Sequence, residues 1–239
     1  METKLNYKRT FLIGLAFLSI CSFWQMYDNI IPLILQNTYH LGETMTGAVM
    51  ALDNVLAIFL LPVFGMLSDK VHTKLGRRMP FIVAGTILAV IFMMLLPMID
   101  NAEKARWSTG ESFSNQVIFL AVLFFTLVSM GLYRSPAVAL MPDVTPNHLR
   151  SRANAVINLM GAVGGVYALI MIKVLVGKGE TPDYLPLFAS IAAVMAIAVG
   201  ILVITIRENK LREEVEKAEA SNTEKVEEKE IRKSTRLNS

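Results

Sequence analysis

Long apolar runs alternate with short polar connections along this chain, except towards its C-terminus. The hydrocarbon core of a bilayer is about 30 Å thick, so a helix needs roughly twenty apolar residues to cross it. Within lipid, runs of this length satisfy their backbone hydrogen bonds as helices. The pattern predicts six membrane-spanning helices, over Thr10–Leu35, Thr44–Leu67, Pro80–Met98, Gln116–Met141, Ala153–Val176 and Tyr184–Ile206.

The cations of the connections lie mostly on one side of the predicted membrane. With the C-terminal tail left out, nine Lys and Arg residues fall on the side of the N-terminus and three on the other side. Cytoplasmic loops carry an excess of these residues. We therefore expect a multi-pass protein of the cell (plasma) membrane, with its N- and C-termini both in the cytoplasm.

The composition supports a membrane protein and argues against several other classes. Hydrophobic residues make up 54% of the chain and charged residues 18%, whereas soluble domains carry about 25% charged residues. The single cysteine, Cys21, and three dispersed histidines, His40, His72 and His148, predict neither a disulfide framework nor a metal site. The net charge of +3 does not suggest nucleic-acid binding. Because no phosphate-binding Gly-x4-Gly-Lys loop is present, we do not expect a nucleotide-hydrolysing enzyme.

The connection between spans two and three concentrates charge beside two glycines. Asp69 lies just beyond the second span, at the C-terminal end of the second helix, where the helix dipole disfavours an anion. We therefore expect it to pair with the two arginines that follow, since guanidinium binds carboxylate in a bidentate manner. Such a pair would be a latch, made in one conformation and broken in another. The alternative is that these cations only fix the topology. The residues of this gate motif are Gly65, Asp69, Lys70, Gly76, Arg77 and Arg78.

The gate motif resembles the loop between helices two and three of the major facilitator superfamily of transporters. The spacing that leads to Arg-Arg-x-Pro-Phe, at Arg77 to Phe81, is most similar to the sucrose and glycoside cation symporters, and the stretch from Tyr133 to Ala155 resembles their helix four, inner loop and helix five. The resemblance implies an all-α polytopic fold in which these six helices form one half, with a missing C-terminal half as partner. It also implies a solute, here expected to be a sugar, bound at the midplane between the halves.

Ionisable residues inside the spans are candidates for the solute and ion pathway, because each costs at least about 2.5–3.5 kcal/mol in lipid. Trp24, Gln25 and Asp28 share one helix face, which offers an aromatic ring beside hydrogen-bonding groups, as a sugar would require. Structural packing is the alternative for each residue. The candidate binding residues are Trp24, Gln25, Tyr27, Asp28, Asp53, Arg134 and Asn158.

The depth of these residues limits how they can interact. Asp28 lies toward the outer face and Arg134 toward the inner face, about 15 Å apart at 1.5 Å per residue, so we expect both to face one water-filled cavity at different levels without a direct ion pair. Span four has no acidic residue, unlike helix four of the plant sucrose symporters. Coupling to H+ or Na+ would therefore fall to Asp28 or Asp53; no other cofactor is expected.

We divide the chain into a cytoplasmic N-terminus (1–9), a six-helix transmembrane bundle (10–206) and a charged, largely disordered cytoplasmic tail (207–239), the start of a central loop that is expected to be truncated. Within the tail, Lys210–Lys217 is expected to continue the sixth span as a helix. The function that the resemblance implies is ion-coupled uptake of a sugar or glycoside by alternating access. An exporter of drugs or metabolites, a half-transporter that works as a homodimer, and a non-transporting membrane scaffold are the alternatives.

Overall fold

The computed structural model describes residues 5–107, 115–177, 179, 181–217, 219 and 220. Six helices in this part of the chain are long and apolar enough to cross a membrane. They are α1 (Tyr7–Asn37), α2 (Glu43–Lys70), α3 (Met79–Trp107), α4 (Gln116–Asp143), α5 (Arg150–Leu175) and α6 (Leu185–Thr205). The predicted fold class, an all-α membrane bundle of six helices, is confirmed.

The helices extend beyond the predicted spans at most of their ends. The largest difference is in α3, which continues from Met98 through a polar segment to Trp107. The hydropathy pattern measures the length of helix that lipid can hold, and good helix formers such as Ala, Glu and Lys then prolong the helix into water. The sequence therefore predicts the spans better than the ends of the helices.

The segment after α6 differs from its prediction. Ile206 takes an extended conformation that ends α6, and residues 208–217 then form a separate helix, which packs Leu211 and Val215 into the bundle with exposures of 8% and 7%. The helix expected over Lys210–Lys217 is therefore present, but it is a separate, packed helix and does not continue α6. Residues 221–239 lie outside the described residues.

α1 is the central helix of the bundle. Of its most apolar window 56% is buried, whereas none of the corresponding window of α2 is buried. α1 packs mainly against α5 and α6, and α4 packs against α3 and α2. As a result, α2 and α5 present long apolar faces outward, with side chains such as Phe59 (66% exposed) and Leu159 (64% exposed).

A buried charge cluster joins the helices at the end of the bundle where α1 finishes. Asp100 is fully buried; it accepts hydrogen bonds of 2.6 Å from Thr38 Oγ1 and from Lys104 Nζ. Lys104 also donates to the carbonyl of Pro182, in the α5–α6 connection, at 2.6 Å. One carboxylate and one cation therefore connect α1, α3 and the segment before α6.

Candidate functional site

A groove between α1 and α5 brings four of the predicted binding residues together. It encloses about 440 Å³, which lies in the range of small-molecule sites. Its polar lining consists of Trp24, Gln25 and Asp28 from α1 and Asn158 from α5. The three α1 residues share a helix face as their spacing indicates, and α5 supplies the amide opposite them.

Glycines let α5 approach α1 at one end of this groove. A Cβ atom at Gly164 would overlap the carbonyl of Leu18, so only glycine permits this distance between the two helix backbones. Ser22 Oγ then donates to the carbonyl of Gly164 at 2.9 Å. Such close crossings at small residues are characteristic of membrane helices, and this crossing fixes the position of α5 beside the groove.

Asp53 and Arg134 line a second, smaller cavity among α1, α2 and α4. Its volume of about 20 Å³ is enough for a water molecule but too small for a solute. Trp24 lines both cavities, and the guanidinium of Arg134 lies 5.5 Å from the centre of its ring, within the range of a cation–π contact.

The position of Trp24 corrects one expectation. Asp28 lines the groove and Arg134 lines the smaller cavity, so the two residues do not face one cavity in this structure, and Trp24 lines both cavities. Among the residues that the structure describes, Asp28 and Arg134 form no ion pair with each other. Trp24 is therefore the wall between a solute-sized groove and a water-sized charged cavity.

Tyr27 occupies a different place from its predicted partners. It is 1% exposed and lies in neither cavity. Its ring packs against Phe23, with ring centres 6.0 Å apart, and against the edge of Trp24 at 5.4 Å. The helix turns Tyr27 by about 100° from Asp28, into the core, so Tyr27 supports the Trp24 ring instead of lining the groove.

The end of the bundle where α1 begins and α6 ends is here called the basic end. The predicted pairing of Asp69 with Arg77 and Arg78 is confirmed there. Asp69 Oδ1 lies 2.6 Å from Arg78 Nη2 and 3.5 Å from Arg77 Nη1. Arg78 also donates from Nη1 to the carbonyl of Gly65 at 3.2 Å. Lys70 is exposed and has no ion pair among the described residues.

Asp143, at the end of α4, completes this cluster and was not predicted. Its Oδ2 atom lies 2.8 Å from Arg77 Nη2 and 3.0 Å from Arg78 Nε. Burial works against the charge of Arg77, but the hydrogen bond and charge of Asp143, with the charges of Asp69 and Glu208, raise the pKa of its guanidinium. The two arginines therefore connect the end of α2 to the end of α4.

Glu208 is the second residue that the sequence did not reveal. Its carboxylate is fully buried and accepts backbone hydrogen bonds of 3.0–3.1 Å from Arg77, Arg78 and Met79. These are the free N–H groups at the start of α3, where an anion is favourable. Gly76 has φ of +125°, and a Cβ there would overlap Glu208, which explains the glycine in the motif.

A comparison with known protein families decides the class of protein to which these features belong. The sequence profile described as Major Facilitator Superfamily matches residues 8–237, nearly the whole chain. The chain belongs to the major facilitator superfamily. This is a family of membrane transporters and not of enzymes, and the six helices of the chain have the architecture of one half of a major-facilitator fold.

Relatives within the superfamily include plant sucrose carriers. Over 116 residues the chain is 35% identical to Sucrose transport protein SUC4 of Arabidopsis thaliana, a match that covers 46% of the chain and 22% of the relative. Over 137 residues it is 26% identical to Sucrose transport protein SUT3 of Oryza sativa subsp. japonica, covering 54% of the chain and 27% of the relative. The chain thus aligns with about a quarter of the length of these superfamily members.

Proposed function

We propose that this chain forms one half of an ion-coupled importer of a sugar or glycoside, which works by alternating access in the plasma membrane with both ends of the chain in the cytoplasm. The observation that carries the proposal is the α1–α5 groove, where an indole ring, two amides and a carboxylate meet. Sugars have both apolar C–H faces, which stack on aromatic rings, and hydroxyl groups, which bond amides and carboxylates.

The dimensions of the two cavities support different roles. The groove of about 440 Å³ has room for a solute, whereas the cavity of about 20 Å³ beside Asp53 and Arg134 has room for one water or ion. We assign the solute to Trp24, Gln25, Asp28 and Asn158, and we assign coupling to H+ or Na+ to Asp28 or Asp53. Movement of Trp24, the shared wall, would link the two cavities.

The exposed apolar faces of α2 and α5 support a second six-helix half as the partner. α5 forms one side of the groove, and its exposed residues Val163 and Val166 (48% and 56%) continue that side. A solute bound there would remain open to its surroundings unless another element covered it. We propose that the second half packs against α2 and α5 and supplies the other wall of the binding site.

The charge cluster at the basic end supports a latch. Arg77 and Arg78 hold the end of α2, through Asp69, to the end of α4, through Asp143. Asp69 is half-exposed (48%), so its pairs can exchange with water at low cost when the helices move. The latch closes one side of the pathway and opens during the transport cycle.

Counterflow of labelled disaccharides into vesicles that hold the complete protein tests the transport function. We expect saturable exchange of a sugar, a loss of more than tenfold with Trp24→Ala or Asp28→Asn, and near wild-type exchange with Asn29→Ala, a neighbour outside the groove. If none of a panel of sugars exchanges, or if Asp28→Asn and Arg134→Gln leave exchange unchanged, the sugar-transport assignment is wrong.

Imposed gradients in the same vesicles test direction and coupling. An inward gradient of H+ or Na+ should drive accumulation of the sugar above its equilibrium level. Replacing Asp69 with Asn tests the latch: we expect slower uptake, whereas Lys74→Gln, in the same loop but outside the cluster, should leave the rate unchanged. Equal uptake by the Asp69→Asn variant and the wild type would remove the latch from the mechanism.

A further inference from the structure

A pocket of about 300 Å³ lies at the basic end of the bundle, away from the solute groove. It forms because the chain turns at Ile206 and sends the helix of residues 208–217 back beside the start of α1. Its walls therefore come from the first two turns of α1, the last turn of α6 and the start of the helix 208–217. The lining residues are Asn6, Lys8, Arg9, Leu12, Thr205, Ile206, Arg207, Lys210, Leu211 and Glu214.

The pocket carries an excess of positive charge. Four of its lining residues are cations and one is a carboxylate, which leaves a net charge of three (four minus one). Arg9 pairs with Glu214 at 3.3 Å. Lys8, Arg207 and Lys210 are exposed, and among the residues that the structure describes none of the three has a carboxylate partner.

The surroundings of the pocket are those of a membrane interface. Phe11 and Ile204, each next in sequence to a lining residue, are 51% and 84% exposed and lie in segments long and apolar enough to cross the membrane. Leu12, Ile206 and Leu211 provide an apolar lining. The site thus joins a cluster of unpaired cations to a surface that faces acyl chains.

We propose that this pocket binds the phosphate of an anionic phospholipid headgroup, such as that of phosphatidylglycerol. Basic pockets between membrane helices at the cytoplasmic side are suited to anionic headgroups, and each Lys or Arg near such a surface contributes about fivefold in affinity. A soluble phosphate would gain the same charge contacts but nothing from the exposed apolar residues beside them. The lipid holds the helix 208–217 against α1, next to the Glu208 cap on α3.

Native mass spectrometry of the 239-residue chain in detergent tests this site, with phosphatidylglycerol, phosphatidylcholine and soluble glycerol phosphate as separate probes. We expect phosphatidylglycerol to bind at least tenfold more tightly than either other probe. The triple variant Lys8→Gln/Arg207→Gln/Lys210→Gln should lose about a hundredfold, from about fivefold for each charge. Equal binding of the two lipids, or glycerol phosphate binding as tightly as phosphatidylglycerol, would overturn the proposal.

Two further variants make the result independent of folding defects and of general surface charge. The variant Lys74→Gln/Arg152→Gln/Lys217→Gln removes three exposed cations elsewhere at the same end and should bind phosphatidylglycerol like the wild type. Glu214→Gln removes the only carboxylate among the described residues that line the pocket and releases Arg9, so it should bind phosphatidylglycerol about fivefold more tightly. The site is refuted if the control variant binds phosphatidylglycerol as weakly as the pocket variant does, or if Glu214→Gln binds it no more tightly than the wild type.

Discussion

Replacing Glu208 with Ala should destabilise the bundle strongly, because this side chain caps α3 from outside the six-helix bundle. The change leaves the N–H groups of Arg77, Arg78 and Met79 without their buried acceptor. Leaving a buried donor without its acceptor costs about 1–3 kcal/mol. We take about 3 kcal/mol for the three donors together, since water can reach the cavity that remains. For a chain of this size each kcal/mol lowers the Tm by about 2–4 °C, so we expect a fall of about 6–12 °C.

Circular dichroism melting of the complete chain in detergent measures this fall. Glu208→Gln keeps one acceptor oxygen and loses the charge, so we expect its Tm to fall by about half as much as that of Glu208→Ala. Glu213→Ala, an exposed residue of the same helix, is the matched control and should melt within about 1 °C of the wild type. If Glu208→Ala melts at the same temperature as Glu213→Ala, the Glu208 carboxylate does not stabilise α3 and the cap has no energetic importance.

A double-mutant cycle with Gly76 checks the same contact from the other side. Gly76→Ala introduces a methyl group into the space of Glu208 and also strains a backbone with positive φ. In the Glu208→Ala background the overlap with the carboxylate is gone, and what remains is the closer contact with the Cβ of residue 208, at 2.7 Å, and the backbone strain of about 1–2 kcal/mol. The two changes should therefore cost less together than the sum of their separate costs, and strict additivity would contradict the proposed contact.

Two more substitutions test the packing of the bundle. Gly164→Ala places a methyl group against the carbonyl of Leu18, and overpacking of this kind costs about 1–3 kcal/mol of folding free energy. The control Gly200→Ala, in α6 with nothing near its Cβ position, should be neutral or stabilising in the same melting assay. Equal melting temperatures of the two variants would count against the close α1–α5 crossing. Asp100→Asn should cost about 3 kcal/mol of stability by leaving Lys104 without its buried partner. The control Glu43→Gln, exposed at the same end of the bundle, should leave the stability unchanged. An Asp100→Asn variant as stable as the wild type would show that this charge cluster does not stabilise the bundle.

The sequence revealed the features that depend on local order. The six spans follow from apolar length alone, and the Asp69–Arg78 pair joins residues close in the chain. The shared face of Trp24, Gln25 and Asp28 follows from the helix period. In each case a property of one segment, its length or its periodicity, was enough for the prediction.

Contacts that depend on the packing of distant segments could not be predicted in the same way. Asp143 reaches the arginines from the end of α4 and Glu208 from the start of the helix 208–217, and nothing in their local sequence distinguishes them from ordinary interfacial acids. The inward turn of Tyr27 and the double role of Trp24 depend on where α2 and α4 pack. The helix over Lys210–Lys217 was expected as a continuation of α6, but its separation at Ile206 and the packing of Leu211 and Val215, one helical turn apart, into the bundle depend on contacts with distant segments.

Protection of Cys21 by solute tests most directly whether the α1–α5 groove is the sugar site. This cysteine lines the groove beside Trp24 and Gln25. A bound sugar should therefore block a thiol reagent that enters from the cavity, without any need for transport to be complete. The rate of Cys21 alkylation in the complete protein is measured by peptide mass spectrometry. We expect saturating sucrose to slow this rate at least fivefold, whereas mannitol at equal osmolarity leaves it unchanged. Equal rates with sucrose, the related disaccharides and mannitol would contradict the assignment of this groove to the solute.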